Sequence, residues 1–105
     1  MERNKHWRRK RDLRAARVDS NQKEIVTALR NCGAVVFHVH TIKNFFDVLV
    51  AYNGKLIAIE IKDGQLNPSA RKLTEGELKC KAALESVGVK YNVVKSVDEA
   101  LALLV

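Results

Sequence analysis

The feature that most constrains this fold is a pair of apolar segments separated by only two residues, Asn53 and Gly54. The flanking segments, 45–52 and 55–62, read FFDVLVAY and KLIAIEIK and are rich in β-branched and aromatic residues. An Asn-Gly dipeptide between two such segments is the strongest short-range signal for a β-hairpin with a two-residue turn. The sequence therefore predicts an antiparallel strand pair here.

This turn also predicts which residues of the two strands face each other. Tyr52 would pair with Lys55, which puts Asp47 directly opposite Glu60. Lys62 would point to the same face as Glu60, because side chains alternate along a strand. The charged residues would thus cluster at one end of one face. The opposite face is apolar and is predicted to join the core through Phe46, Val48, Val50, Ile57, Ile59 and Ile61.

The two facing carboxylates would repel each other. Repulsion and partial burial would raise the pKa of at least one of them. A divalent cation held by Asp47 and Glu60 would remove the repulsion, since Mg²⁺ takes oxygen ligands and often uses only one or two carboxylates. The alternative is structural: Lys62 neutralises Glu60, and Asp47 stays hydrated at the start of its strand. The spacing alone leaves both interpretations open.

The rest of the chain predicts three helices and two further strands. A residue that can cap a helix precedes each predicted helix, with Asp19 or Ser20 before the first one. Thr74 and Glu77 form a capping box, which explains Glu77 and leaves it outside any site. The helices are predicted over 20–31, 75–87 and 97–104, and the strands over 34–39 and 90–94. The order αβββαβα is typical of an α/β domain in which helices flank a mixed central sheet.

Positive charge is concentrated at the N-terminus. Residues 1–17 hold 8 of the 19 Lys and Arg residues and only two acidic ones, whereas residues 18–105 form a nearly neutral domain. Such a basic arm favours binding to a polyanion, because each neutralised phosphate releases condensed counterions. The alternative is a solvated tail that only keeps the protein soluble. The arm residues predicted to contact nucleic acid are Arg8, Arg9, Lys10, Arg11 and Arg14.

The sequence also indicates the cellular compartment. No apolar segment approaches the roughly 18 residues of a membrane-spanning helix, and no apolar segment follows the basic N-terminus as it would in a signal peptide. Cys32 and Cys80 form no CxxC pair and no disulfide framework, so both are interpreted as small buried residues. We therefore expect a cytoplasmic protein with no membrane partner.

Two further groups of residues are candidates for binding. Lys43, Arg71 and Lys72 could contact phosphates, although simple solvation of surface charges explains them equally well. His38 and His40 share one strand face and could ligate a metal. Because no nearby Cys or His offers a third ligand, a zinc site is not predicted, and a position beside the path of a phosphate is the better interpretation.

Asp47, followed by the triplet Glu60-Ile61-Lys62 on the next strand, resembles the catalytic motif of the PD-(D/E)xK nuclease superfamily. More closely, the domain after the basic arm is similar to the small stand-alone VRR-NUC and Holliday-junction-resolvase-like nucleases of phage and prophage genomes. Phe46 stands where the superfamily usually has a proline, so the motif reads FD instead of PD. The proline takes no part in the chemistry.

The resemblance implies a restriction-endonuclease-like αβββαβα core and Mg²⁺- or Mn²⁺-dependent hydrolysis of phosphodiester bonds in DNA, with branched or junction DNA among the substrates. Asp47, Glu60 and the backbone carbonyl of Ile61 would hold the metal. Glu24, in the first helix, would add a carboxylate directly or through water, or else is an ordinary solvent-facing residue. Lys62 would orient the attacking water and stabilise charge on the phosphate. A homodimer is also implied, since two strands need two active sites.

Two other functions are compatible with this sequence. Many superfamily members carry a glutamine in the helix after the ExK strand, where this chain has Glu77. A glutamate there would repel the scissile phosphate, which suits a nucleic-acid-binding protein that keeps the nuclease fold without its catalytic power. The third possibility is a basic accessory protein that binds through residues 1–17 alone.

Overall fold

The computed structural model describes residues 21–65 and 68–105, so the basic arm and the predicted cap residues Asp19 and Ser20 lie outside the described residues. The described chain forms a mixed four-stranded sheet flanked by helices, which confirms the predicted α/β class. The elements are α1 (Gln22–Asn31), β1 (Val35–His38), β2 (Val48–Tyr52), β3 (Lys55–Ile61), a 3₁₀ helix (Pro68–Arg71), α2 (Glu75–Ser86), β4 (Tyr91–Val94) and α3 (Val97–Ala102).

The hairpin of β2 and β3 forms the centre of the sheet, and its turn is as predicted. Tyr52 lies opposite Lys55, and the pairing continues in register as far as Val48 opposite Ile59. Both turn residues have positive φ angles, 50° at Asn53 and 77° at Gly54, as a two-residue turn of type I′ requires. The strand β1 pairs antiparallel with β2, and β4 runs parallel to β3, which gives the order β1-β2-β3-β4.

The predicted register is wrong just beyond the last strand pair. The backbone N–H of Asp47 donates to the carbonyl of Ile59 at 3.1 Å, which is one residue out of register, as at a β-bulge. Asp47 is therefore displaced from the position directly opposite Glu60. The same shift turns Phe46 away from the predicted core face, and its ring packs on the opposite face of the sheet with Ala58 and Tyr91.

The main core lies between one face of the sheet and the helices α1 and α3. The apolar side of α1 consists of Ile25, Val26 and Leu29, whose spacing places them on one helix face. Cys32 was predicted to be buried, but it is exposed because α1 ends at Asn31 and the chain turns away. The sheet contributes the predicted apolar face without Phe46, namely Val48, Val50, Ile59 and Ile61, with Ile57 partly buried, and β1 adds Val36.

The other face of the sheet is covered by α2 toward β3 and β4. Cys80 and Leu84 pack over Ala58 and Tyr91, yet no residue of α2 is itself fully buried. Toward β1 the same face is open, with Val35, Phe37 and Leu56 all more than half exposed. Among the described residues, no helix is long and apolar enough to cross a membrane.

We expect Gly54→Ala to lower the free energy of unfolding by about 1 kcal/mol, because an L-residue is strained at positive φ. A Cβ at Gly54 would meet no atom within 4 Å, so the effect is conformational and not a clash. Urea denaturation monitored by circular dichroism measures it. Asn53→Gly is the matched control and should change stability by less than about 0.5 kcal/mol; equal effects of both substitutions would contradict the turn assignment.

Candidate active site

Three charged side chains meet where β3 ends beneath the first turn of α2. The ammonium of Lys62 lies 3.2 Å from Glu60 Oε2 and 3.1 Å from Glu77 Oε1. All three groups are largely buried, and Glu60 is only 4% exposed. An ammonium and two carboxylates removed from water in this way are held by one another and not by solvent.

The backbone around Lys62 is fixed from two sides. Its N–H donates to the carbonyl of Val94 at 2.9 Å, which prolongs the parallel pairing of β3 with β4. Its carbonyl accepts from the side-chain amide of Asn21 at 3.2 Å, and the same amide donates to the carbonyl of Lys95 at 3.1 Å. The residue directly before α1 therefore connects the ends of two strands, and this holds Lys62 in place.

Asp47 joins this group through the bulge that displaces it from the regular pairing. In an unbroken hairpin the N–H of Ile61 would bond to the backbone of β2. Because the bulge removes that partner, Asp47 Oδ2 accepts this N–H instead, at 2.7 Å. The carboxylate is thereby directed toward the end of β3, where its charge raises the pKa of Glu60.

Glu77 belongs to this group although the sequence indicated otherwise. The predicted capping box is present: Thr74 Oγ1 accepts from the N–H of Glu77 at 3.1 Å, and Glu77 Oε1 accepts from the N–H of Thr74 at 2.9 Å. The same Oε1 atom also accepts from Lys62. The expectation that the capping box alone accounts for Glu77 is thus wrong. No local signal could reveal the second contact, because the loop after β3 separates the two residues in sequence.

The proximity of these groups shifts their pKa values in opposite directions. Burial, together with the charges of Asp47 and Glu77, raises the pKa of Glu60 to about 8, and Lys62 offsets this only in part. Burial also disfavours the charge on Lys62, but Glu60 and Glu77 outweigh it and raise the pKa of Lys62. For Glu77 burial is outweighed by the Thr74 N–H and by Lys62, so its pKa is lowered. These shifts favour the ion pair of Lys62 with Glu77 over that of Lys62 with Glu60.

This arrangement can accept a divalent cation. Asp47 and Glu60 provide two carboxylates whose mutual repulsion a cation would remove, and the carbonyl of Ile61 follows directly after Glu60 in the chain. Mg²⁺ commonly uses one or two carboxylates and keeps several waters. The described residues contain no group of three or more His, Cys, Asp and Glu side chains positioned to hold a metal.

Glu24, the fourth carboxylate predicted for the site, lies elsewhere. It is exposed on α1, which packs against the face of the sheet opposite to Glu60. There it lines a cleft with Asn21, Asp63 and Lys95, and it is not among the groups that shift the pKa of Glu60. The structure therefore does not bring Glu24 together with Asp47 and Glu60.

The predicted nucleic-acid contacts are only partly within the described chain. Lys43, in the turn before β2, and Lys72, just before α2, are both exposed. The side chain of Arg71 lies outside what the structure describes. So do the arm residues Arg8, Arg9, Lys10, Arg11 and Arg14. These contacts stay predictions.

Comparison of this chain with protein-family models, with curated proteins and with solved structures finds no match. The functional interpretation therefore rests on the geometry and charge of Asp47, Glu60, Lys62 and Glu77.

The raised pKa of Glu60 predicts how stability depends on pH. Glu60 binds its proton more tightly in the folded chain, at a pKa of about 8, than in the unfolded chain, near 4.5. The free energy of unfolding should therefore fall as pH rises between these values. We expect Glu60→Gln to remove at least about 1.4 kcal/mol of this loss, the equivalent of one pKa unit.

Urea denaturation at a series of pH values, without added metal, measures the effect as the difference between wild type and variant. Glu75→Gln, at an exposed position on α2, is the matched control and should follow the wild-type curve. Parallel curves for wild type and Glu60→Gln would show that Glu60 has an ordinary pKa.

Proposed function

We propose that this protein is a Mg²⁺- or Mn²⁺-dependent endonuclease that hydrolyses phosphodiester bonds in DNA on a PD-(D/E)xK-type core. The observation that carries the proposal is the buried contact of Lys62 with Glu60, with the carboxylate of Asp47 acting on the same group. These are the three residues of the motif, and they lie at the adjoining ends of the two hairpin strands, where the N–H of Ile61 bonds to the carboxylate of Asp47.

The motif residues divide the chemistry among them. Asp47, Glu60 and the carbonyl of Ile61 would hold the divalent cation, and Glu60 would lose its proton as the cation binds. A cation bound there would polarise the phosphate and lower the pKa of the attacking water. The affinity for the cation should consequently increase as pH rises toward about 8, the pKa of Glu60.

Lys62 would act as a fixed positive charge and not as a base. Its pKa is raised, so it keeps its proton at the pH of the reaction. Glu60 and Glu77 hold the ammonium at 3.2 and 3.1 Å, and a charge fixed beforehand stabilises the charge that develops in the transition state without reorganisation. Glu24 has no place in this mechanism as the chain is folded here, since it lies across the sheet.

The roles of the basic arm, the DNA substrate, the homodimer and the cellular location stay predictions, and each of them suits the proposed function. The basic arm would bind the DNA backbone irrespective of sequence, and the resemblance places branched or junction DNA among the substrates. A homodimer would supply two active sites. The proposed location is the cytoplasm, that of the host if the gene belongs to a phage.

Cleavage assays test the activity directly. Linear duplex, single-stranded, flapped and four-way-junction DNA are incubated with Mg²⁺, Mn²⁺ or EDTA. We expect metal-dependent cutting that Lys62→Met reduces at least about 100-fold, because a charge aimed at the transition state is removed. Asp47→Asn should reduce cutting similarly while keeping an oxygen to accept the N–H of Ile61.

The matched control is Lys79→Met, which changes an exposed lysine on the same helix that carries Glu77 and should leave cutting unchanged. Failure to cut any substrate in either metal, with all variants folded and DNA bound, would overturn the assignment as an enzyme. That result would favour the second candidate, a nuclease-like protein that binds DNA without cutting it. The observation that favours this second candidate is the negative charge of Glu77 beside Lys62, because that charge would repel a phosphate.

The basic arm is tested by salt dependence. Replacement of Arg8, Arg9, Lys10, Arg11 and Arg14 by glutamine keeps the length of the arm. The DNA-binding constant K falls as salt concentration rises. We expect the replacement to make the slope of log K against log salt concentration less steep by up to about 4.5, at about 0.9 for each phosphate that the arm no longer neutralises. Fluorescence anisotropy at several salt concentrations measures the slope. An unchanged slope would show that the arm is a solvated tail that does not bind DNA.

A further inference from the structure

Two histidines that the proposed reaction does not use point toward the first turn of α1. His38 ends β1, and His40 follows two positions later, so both side chains project from the same side of the chain. Their ring centroids are 5.8 Å apart, and the rings stand edge to face. Two imidazoles that meet at an angle can direct their nitrogens to one point between them.

Gln22 lies at that point. Its side-chain nitrogen Nε2 is 3.4 Å from His38 Nδ1 and 3.5 Å from His40 Nδ1. Gln22 is 96% buried, since only 4% of its surface is exposed, and its Oε1 atom has no hydrogen-bond partner. A buried amide oxygen without a partner is unfavourable, so hydrogen bonds do not fix which end of this amide faces the two imidazoles.

Two distances around Gln22 fit a tetrahedral metal centre. The two ends of a carboxamide have nearly the same shape, and a half-turn about its last bond exchanges them. Oε1 then lies 3.4 and 3.5 Å from the two Nδ1 atoms, and Nε2 takes the buried place of Oε1. A zinc ion with ligands at about 2.1 Å separates neighbouring ligand atoms by about 3.4 Å. We propose that His38, His40 and Gln22 form a second metal site, which binds Zn²⁺ or a similar transition-metal ion with water as the fourth ligand.

The ligand chemistry separates this site from that of Asp47 and Glu60. Imidazole nitrogen suits Zn²⁺, Co²⁺, Ni²⁺ and Cu²⁺, whereas Mg²⁺ takes oxygen ligands. Arg30 opposes a bound cation, because its positive charge lies close to His38. A site with a charged neighbour and one amide ligand will therefore bind less tightly than a closed structural zinc site.

The site was missed from the sequence because its third ligand is a glutamine on a different element. His38 and His40 are recognisable from their spacing, but Gln22 lies sixteen residues before His38. Only the packing of α1 against the sheet brings it to them. A bound ion would join the beginning of α1 to the end of β1, next to the segment that leads to Asp47.

Zinc binding is tested on the full chain by competition with a chromogenic zinc indicator, in excess Mg²⁺ so that any oxygen site is occupied. We expect one Zn²⁺ per chain, bound at concentrations below about 100 µM. His38→Ala and His40→Ala should each weaken binding at least about tenfold, and Gln22→Met, which keeps the length without the oxygen, should weaken it about threefold or more. His6→Ala is the matched control and should bind as wild type does. Asp47→Asn should also bind Zn²⁺ normally, which separates this result from the outcome of the nuclease assay.

Thermal melting provides a second readout that also reports folding. Zn²⁺ should raise the Tm of wild type, His6→Ala and Asp47→Asn, because a ligand that binds the folded chain stabilises it. It should raise the Tm of folded His38→Ala and His40→Ala little or not at all. Absence of saturable binding in wild type, equal binding by the histidine variants, or a thiolate charge-transfer band from bound Co²⁺, which would indicate cysteine ligands, would each overturn the proposal.

Discussion

The functional end of this molecule depends on the ion pairs that the ammonium of Lys62 makes with Glu60 and Glu77. Without this ammonium, Asp47, Glu60 and Glu77 would place three carboxyl groups at one strand end with no cation among them. Removal of one partner from a buried ion pair is strongly destabilising, typically by about 3–5 kcal/mol, because the other charge is left uncompensated. Lys62 also links β3 to the cap of α2, so a single side chain connects the sheet, the helix and the candidate metal ligands.

The parts of the fold that sequence predicted well are those set by local chemistry. The Asn53-Gly54 turn needs two positive φ angles, and this requirement fixes the register of β2 and β3 up to Val48. The capping box at Thr74 likewise depends on residues three positions apart, and it begins α2 as predicted. The order of helices and strands follows from periodicity, and from it the mixed α/β class.

The parts that sequence could not predict depend on contacts between distant segments. The bulge at Asp47 reverses the face of Phe46 and redirects a carboxylate, and nothing in the alternation of residues 45–52 indicates it. The contact of Glu77 with Lys62 is hidden by the loop between them, and the position of Glu24 follows from which face of the sheet α1 covers. The motif was thus sufficient to name candidate residues, but which of them meet in the fold depends on how the helices pack on the sheet.

The helix α2 packs on the sheet through partly buried residues, and it carries one member of the charged cluster, Glu77. This helix has no fully buried residue, whereas α1 places Ile25 and Leu29 entirely within the main core. Regions with few buried apolar contacts open with less free energy than the global unfolding. Local opening of α2 would separate Glu77 from Lys62 and leave Asp47 and Glu60 on the hairpin. One carboxyl group of the cluster is therefore carried by the helix with the fewest buried residues, and the motif residues are carried by the central hairpin.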